Sequence, residues 1–162
     1  RIGLSKSGVF SRVGSREALQ KAVIEEFGRR FLAEVFVPAM LAPKGLPRLN
    51  DIVRRWFIRM RDVEVRTGCL YTAGAFELDD REGELRDHLL GEVTRWRAAL
   101  RRTVAQAVDA GHLKPDTDPE QLVGEISSLA IGLIHDARFL RDPRAAERAQ
   151  ASWERLVRSY QP

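Results

Sequence analysis

One cysteine, Cys69, stands among 162 residues, so no internal disulfide can form. The chain is therefore expected to hold by packing alone, which suits a reducing cytoplasmic compartment. Histidine is nearly as scarce: His88, His112 and His135 lie far apart. Glu84 precedes His88 by four residues rather than three, so the Glu-x-x-His signature of a di-iron bundle is missing. No apolar run approaches the ~20 residues of a membrane-spanning helix, and no leader of the charged, apolar, small-residue kind is visible. Strand-like alternation, internal repeats and low-complexity stretches are absent as well. These absences set aside disulfide scaffolds, metal and cofactor chemistry and a membrane partner.

Charge is present but unevenly placed. Residues 1–61 carry 13 Lys/Arg against 5 Asp/Glu, whereas residues 62–162 carry 14 against 18, within a net charge of +4. A basic front and a mildly acidic remainder fit a chain whose beginning meets a polyanion. Glu17, Glu25 and Glu26 interrupt the basic residues, so the front is no polybasic membrane tether.

Apolar residues recur at helical spacing throughout, which predicts an all-α fold. Leu19, Val23, Phe27, Phe31 and Val35 predict a long helix from Ser15, ending near Pro38 or Pro43. The Pro43-Lys44-Gly45-Leu46-Pro47 stretch breaks it, and Leu49, Ile52, Val53, Trp56, Met60 and Val63 rebuild a stripe. After Gly68, the small and apolar residues from Cys69 to Leu78 predict a buried central helix closed by the polar Asp79–Gly83 loop. The clearest pattern is Leu85, Leu89, Val93, Trp96, Leu100, Val104 and Val108, with Gly111 as its stop. Asp118-Pro119-Glu120-Gln121 reads as a cap, a first-turn proline and a capping-box glutamine, and Asp142-Pro143 repeats the first two signals.

The opening segment carries the sharpest functional signal. Gly3 lies between apolar neighbours and permits a tight turn. Ser5 can cap the next helix, and a short helix then presents Lys6, Ser7, Gly8, Ser11 and Arg12 on one side, with Val9 and Val13 on the other. Spacing alone fits an ordinary serine-capped surface helix equally well. Together with the pair Val9-Phe10 and the helix start Ser15-Arg16-Glu17-Ala18-Leu19, however, Leu4 to Leu19 resembles the signature stretch of tetracycline-repressor (TetR) transcriptional regulators. Phe10 departs from the tyrosine usual in that pair and offers apolar contact only. Arg12 stands where an aromatic or histidine is commoner, and Val13 where phenylalanine is common.

The resemblance implies a helix-turn-helix remnant followed by a multi-helix ligand-binding and dimerisation bundle, divided as residues 1–36 and 37–162. A helix-turn-helix needs an earlier supporting helix, and the first residue is arginine, so the chain is expected to be N-terminally incomplete. DNA contacts are expected at Ser5, Lys6, Ser7, Gly8, Phe10, Ser11, Arg12 and Arg16: Lys6 and Arg12 toward base edges, the serines toward phosphate, Arg16 at a helix start where backbone amides already favour an anion. An effector pocket inside the bundle would draw on Trp56, Met60, Cys69, Tyr71, Phe76, Trp96 and His135, each of which is equally a plain core or edge residue. The helix after Asp118 is apolar on more than one side. A homodimer interface is therefore expected from Leu122, Ile126, Leu129 and Leu133 together with Trp153, Leu156 and Tyr160 of the last helix.

The functional expectation is a cytoplasmic repressor, not an enzyme, that holds a double-stranded operator as a homodimer and is released by a small-molecule effector. The competing reading is a helical small-molecule carrier or enzyme with an incidental basic front, for which His135-Asp136 supplies the one suggestive polar pair. Cys69, among apolar neighbours, reads as a buried structural thiol.

Overall fold

Bulky apolar residues at helical spacing give most of the helices a stripe to bury, and the described residues gather these stripes around one long helix. The computed structural model describes residues 14–162. Helix α1 spans Arg16–Phe31, with Ser15 Oγ accepting the Ala18 N–H at 3.0 Å. It continues through a π-helical turn, Leu32–Phe36, into Val37–Ala39. Helix α2, Leu46–Arg59, likewise runs through a π turn, Met60–Glu64, to Thr67. Then follow α3 (Leu70–Leu78), α4 (Glu84–Asp109), α5 (Pro119–Ile134, extended by a third π turn, His135–Phe139) and α6 (Ala145–Ser159). No strand occurs among the described residues.

The 26 residues of α4 make a rod of about 39 Å, and α1, α2, α3 and α5 all pack on it. Leu100, Val104 and Ala107 of α4 meet Leu49, Ile52 and Val53 of α2 and Leu122, Val123 and Ile126 of α5 in one continuous buried cluster. Helix α6 closes this cluster with Ala149, Trp153 and Val157. The Trp153 indole N–H donates to Asn50 Oδ1 at 3.0 Å, so this large side chain is buried without an orphaned donor.

Loops are fixed by polar groups drawn from distant helices. The Arg48 guanidinium donates to the carbonyls of Met40 and Ala42, satisfying the end of the first helix from inside the second. Gly111 takes φ +70°, and the Leu113 N–H returns to Ala107 O, so a left-handed glycine stops α4 as its position suggests. His112, next along, accepts the Leu46 N–H at 3.2 Å and thereby caps α2.

Several local expectations need correction. Val23 is 50% exposed and its neighbour Ile24 is buried instead, so the stripe departs from simple spacing at that turn, while Phe31 and Val35 are buried as read. Helix α3 has no fully buried residue, and Phe76 is 66% exposed, so it lies on the surface rather than at the centre. Its apolar composition lines an open groove instead of filling a core. Asp118 does cap α5, accepting the Glu120 N–H at 2.9 Å, but Gln121 reaches forward to Glu125 instead of back to the cap.

The Gly45 position tests how tightly α2 is anchored. Its φ is +92°, and an added Cβ would overlap His112 Nδ1, the acceptor that caps α2. Gly45→Ala should therefore lower unfolding stability by about 1–3 kcal/mol, measurable by denaturant titration; a change within a few tenths would mean that the loop relaxes freely.

Candidate functional site

Six aromatic side chains meet where α1, α2, α3 and α4 converge. Phe31 contacts Trp96 edge to face at 4.6 Å between ring centroids, Trp56 meets Trp96 at 5.2 Å, and Phe27 meets Tyr71 at 4.9 Å. Phe36, on the first π turn, adds an edge contact to Trp96. The indole N–H groups of Trp56 and Trp96 are buried with no partner among the described residues, in contrast to Trp153.

Against this cluster lies a buried ion pair. Arg59 is 6% exposed, with its guanidinium 5.3 Å from the Phe27 ring centroid and 5.9 Å from that of Phe31. Its Nε donates to Glu64 Oε1 at 3.0 Å, and its Nη1 reaches Glu34. Glu64 is wholly buried, and its second oxygen has no partner among the described residues. Burial raises the Glu64 carboxyl above its ordinary value in spite of the arginine. The Cys69 thiol is pushed up to about 12, first by burial and then by the negative charge of Glu64. Such a thiol is inert at neutral pH.

Arg59 and Glu64 are not legible as site residues from local spacing, yet a signal for them exists. Each falls on the apolar stripe of α2, seven residues after Ile52 and four after Met60. A charge at a core register marks a buried ionic group. The π turns are connected through these charges: Glu34 sits in the first, Glu64 in the second, and Arg138 of the third donates to Val65 O at 3.1 Å. Single π turns recur at functional sites because they splay the helix and redirect side chains.

Two open grooves flank this centre. One, about 1050 Å³, runs between α3 and the C-terminal end of α5, with Cys69, Phe76, Ile131, His135, Arg138 and Phe139 among its walls. The other, about 850 Å³, lies between the first half of α1, α3 and the start of α4. The effector candidates are thus split. Trp56, Met60 and Trp96 belong to the buried core, Tyr71 bonds to Glu92 at the α4 edge, and Cys69, Phe76 and His135 share the first groove. His135 bonds to its exposed neighbour Asp136 at 2.9 Å, and no cluster of metal-ligating side chains occurs among the described residues.

The DNA candidates Ser5, Lys6, Ser7, Gly8, Phe10, Ser11 and Arg12 lie outside the described residues. Arg16 is the first residue of α1 and is exposed. Helix α1 runs parallel to α4 with contacts at successive turns: Lys21 pairs with Glu84, Glu25 approaches His88 Nε2 at 3.6 Å without a hydrogen bond, and Gly28 faces Glu92. A Cβ on Gly28 would lie 2.6 Å from the Tyr71 hydroxyl and 3.0 Å from Glu92 Oε2, so glycine sets the approach.

Four of the expected dimer contacts are corrected. Leu122, Ile126, Leu133 and Trp153 are at most 2% exposed within the single chain and pack on α2, α4 and each other's helices, leaving nothing to offer a partner. Leu129, Leu156 and Tyr160 are half-buried, with the Tyr160 hydroxyl donating to Glu125 at 2.7 Å.

Glu64 makes stability pH-dependent in a defined direction. Its native carboxyl holds its proton above the unfolded value near 4.5, so its contribution is fully present below that pH and is lost as pH rises toward the raised native value. The stability difference between the wild-type protein and Glu64→Gln should therefore shrink or invert as pH increases above 4.5 in denaturant titrations. A difference independent of pH would show that the carboxyl titrates normally.

Residues 45–153 match the family model described as tetracyclin repressor-like, C-terminal domain. No curated protein matches the chain significantly. Among solved structures, a TetR-family transcriptional regulator from Cytophaga hutchinsonii superposes with a TM-score of 0.79 at 18% identity, covering 98% of this chain and 79% of that one. The ketosteroid transcriptional regulator KstR2 of Mycobacterium tuberculosis gives 0.75 at 14% identity, over 99% and 80%. AibR, solved with isovaleryl coenzyme A and operator DNA, gives 0.74 at 15% identity, over 98% and 82%. These likenesses establish a common helical fold, and the family match, which spans more than half of the sequence, identifies this chain as a member of the tetracyclin repressor-like family.

Proposed function

We propose that the chain is a cytoplasmic DNA-binding repressor that leaves its operator when a small organic molecule occupies the helical bundle. The observation that carries this reading is positional: the basic Lys6–Arg16 segment feeds directly into α1, and α1 is registered against α4 by Lys21–Glu84, Glu25–His88 and the Gly28 approach. A displacement of α4 is thereby passed to whatever precedes Arg16. In the family division, residues 1–36 hold the end of the DNA-binding part and residues 37–162 the effector and dimerisation part. That one neighbour binds both an acyl thioester and operator DNA supports an organic effector here. Coupling can be no larger than the difference in effector affinity between the DNA-competent and released arrangements.

A homodimer places two reading segments about 34 Å apart, or a multiple of that, along the duplex. With Leu122, Ile126, Leu133 and Trp153 committed to the core, the pairing surface falls on the outer ridge of α5 and on α6. Gly124, in the first half of α5 and outside the groove between α3 and the end of α5, lies on that ridge with an open Cβ position. Leu129, Leu156 and Tyr160 border it. A glycine at that point lets a second helix approach closely.

Duplex binding measured against salt separates this reading from a carrier or enzyme. A regulator loses affinity steeply as counterions are released. Lys6→Ala with Arg12→Ala should weaken binding and reduce the logarithmic salt slope by about 1 for each phosphate no longer neutralised. Binding unaffected by both changes refutes the assignment of that segment, and turnover abolished by altering His135 or Asp136 would favour an enzyme.

Dimerisation is tested separately by sedimentation at low micromolar concentration. Gly124→Arg should convert a dimer to a monomer with the helical content unchanged. A persistent dimer would place the interface elsewhere.

A further inference from the structure

The groove between α3 and the end of α5 combines three features that no core-packing role explains. Its walls hold three large apolar side chains left in water: Phe76 at 66% exposure, Ile131 at 43% and Phe139 at 77%. Its lining contains one arginine and one histidine but no aspartate or glutamate. The arginine is fixed. Arg138 donates to Val65 O at 3.1 Å, and its guanidinium lies against Gly68, where a Cβ would come within 3.6 Å of it; Gly68 has φ +88°. No carboxylate pairs with Arg138 among the described residues. His135, by contrast, is engaged by Asp136 and leans on the Phe139 ring at 5.5 Å.

A positioned, unneutralised guanidinium at the end of an apolar trough recognises a molecule with an oily body and an anionic head. Arg is suited to the head because its planar fork binds a carboxylate through two parallel hydrogen bonds. The trough suits the body: its volume of about 1050 Å³ slightly exceeds the usual range of small-molecule sites, leaving room for an extended chain, and Gly132 on the α5 wall removes a side chain that would narrow it. We infer that this groove is the effector site and that the effector is an amphipathic carboxylate, its chain along Phe76, Ile131 and Phe139 and its head at Arg138. The inference rests on the regulator reading above and adds the place and chemical class of the effector. Occupancy would tie α3 to the third π turn and, through Val65 and Gly68, to the end of α2.

The test uses the protein with three probes of equal chain length, each below its micelle concentration: decanoate, decyltrimethylammonium and decanol, followed by titration calorimetry. Decanoate should bind at one site per chain and at least tenfold more tightly than either other probe. Arg138→Gln should weaken decanoate by about tenfold while leaving decanol unchanged. Ile131→Glu should abolish binding of decanoate and decanol, with circular dichroism confirming a folded chain. Equal affinity for the anionic and cationic probes overturns the inference, as does decanoate binding indifferent to both substitutions. If Ile131→Glu instead dissociates a dimer that binds no probe, the groove belongs to a second copy of the chain and the inference falls. Operator binding is assayed in parallel: a chain that holds DNA but ignores decanoate loses this inference alone, whereas one that holds no DNA loses the regulator reading.

Discussion

The guanidinium of Arg59 ties the first two helices of the molecule together. It is removed from water by Phe27 and Phe31 and shared between Glu34 and Glu64, so one cation joins the extension of α1 to the extension of α2. Burying such a group is unfavourable unless its partners are in place, and deleting one partner from a buried pair typically costs about 3–5 kcal/mol. The aromatic side chains around it are consequently constrained in both position and tilt. Trp56 and Trp96 cross at 88°, and each meets Phe31, one of the rings beside the arginine, edge to face.

From this tie the rest of the geometry follows. The first two helices are fixed relative to each other, and α4 is then trapped between α1 and α2. Its carboxylates at 84 and 92 and its histidine at 88 meet α1 at successive turns, which only a parallel alignment allows. Exposed ion pairs of this kind contribute little to stability. Their use here is to define register. Lys21 and Glu84 do not hold the bundle together so much as determine how far along α4 the first helix sits.

Much of this is legible in the letters. The stripes of α2 and α4, the break at Pro43–Pro47, the stops at Gly68 and Gly111 and the cap at Asp118 all follow from periodicity and turn chemistry, which are local. What spacing does not show depends on partners distant in sequence. The apolar residues around α5 are countable, but which of them its own neighbours claim is not, so Leu122, Ile126 and Leu133 read as a surface for a second chain. Similarly, the composition of α3 records apolar demand without saying whether a core or a groove meets it. Arg59 and Glu64 escape notice because each is unremarkable alone and becomes informative only when placed on the register of Ile52 and Met60.

The π turns give the architecture a further property. Each accommodates one residue more than an α-helical turn would, and all three occur near helix ends, at residues 32–36, 60–64 and 135–139. Loss of a single codon in such a turn would restore regular winding while the following side chains keep close to their present facing, because the π turn has already absorbed the extra residue. A deletion there would remove the local splay of the turn without re-phasing the rest of the helix or breaking it. The three turns are therefore the places where this scaffold can lose a residue and still keep its packed stripes in register.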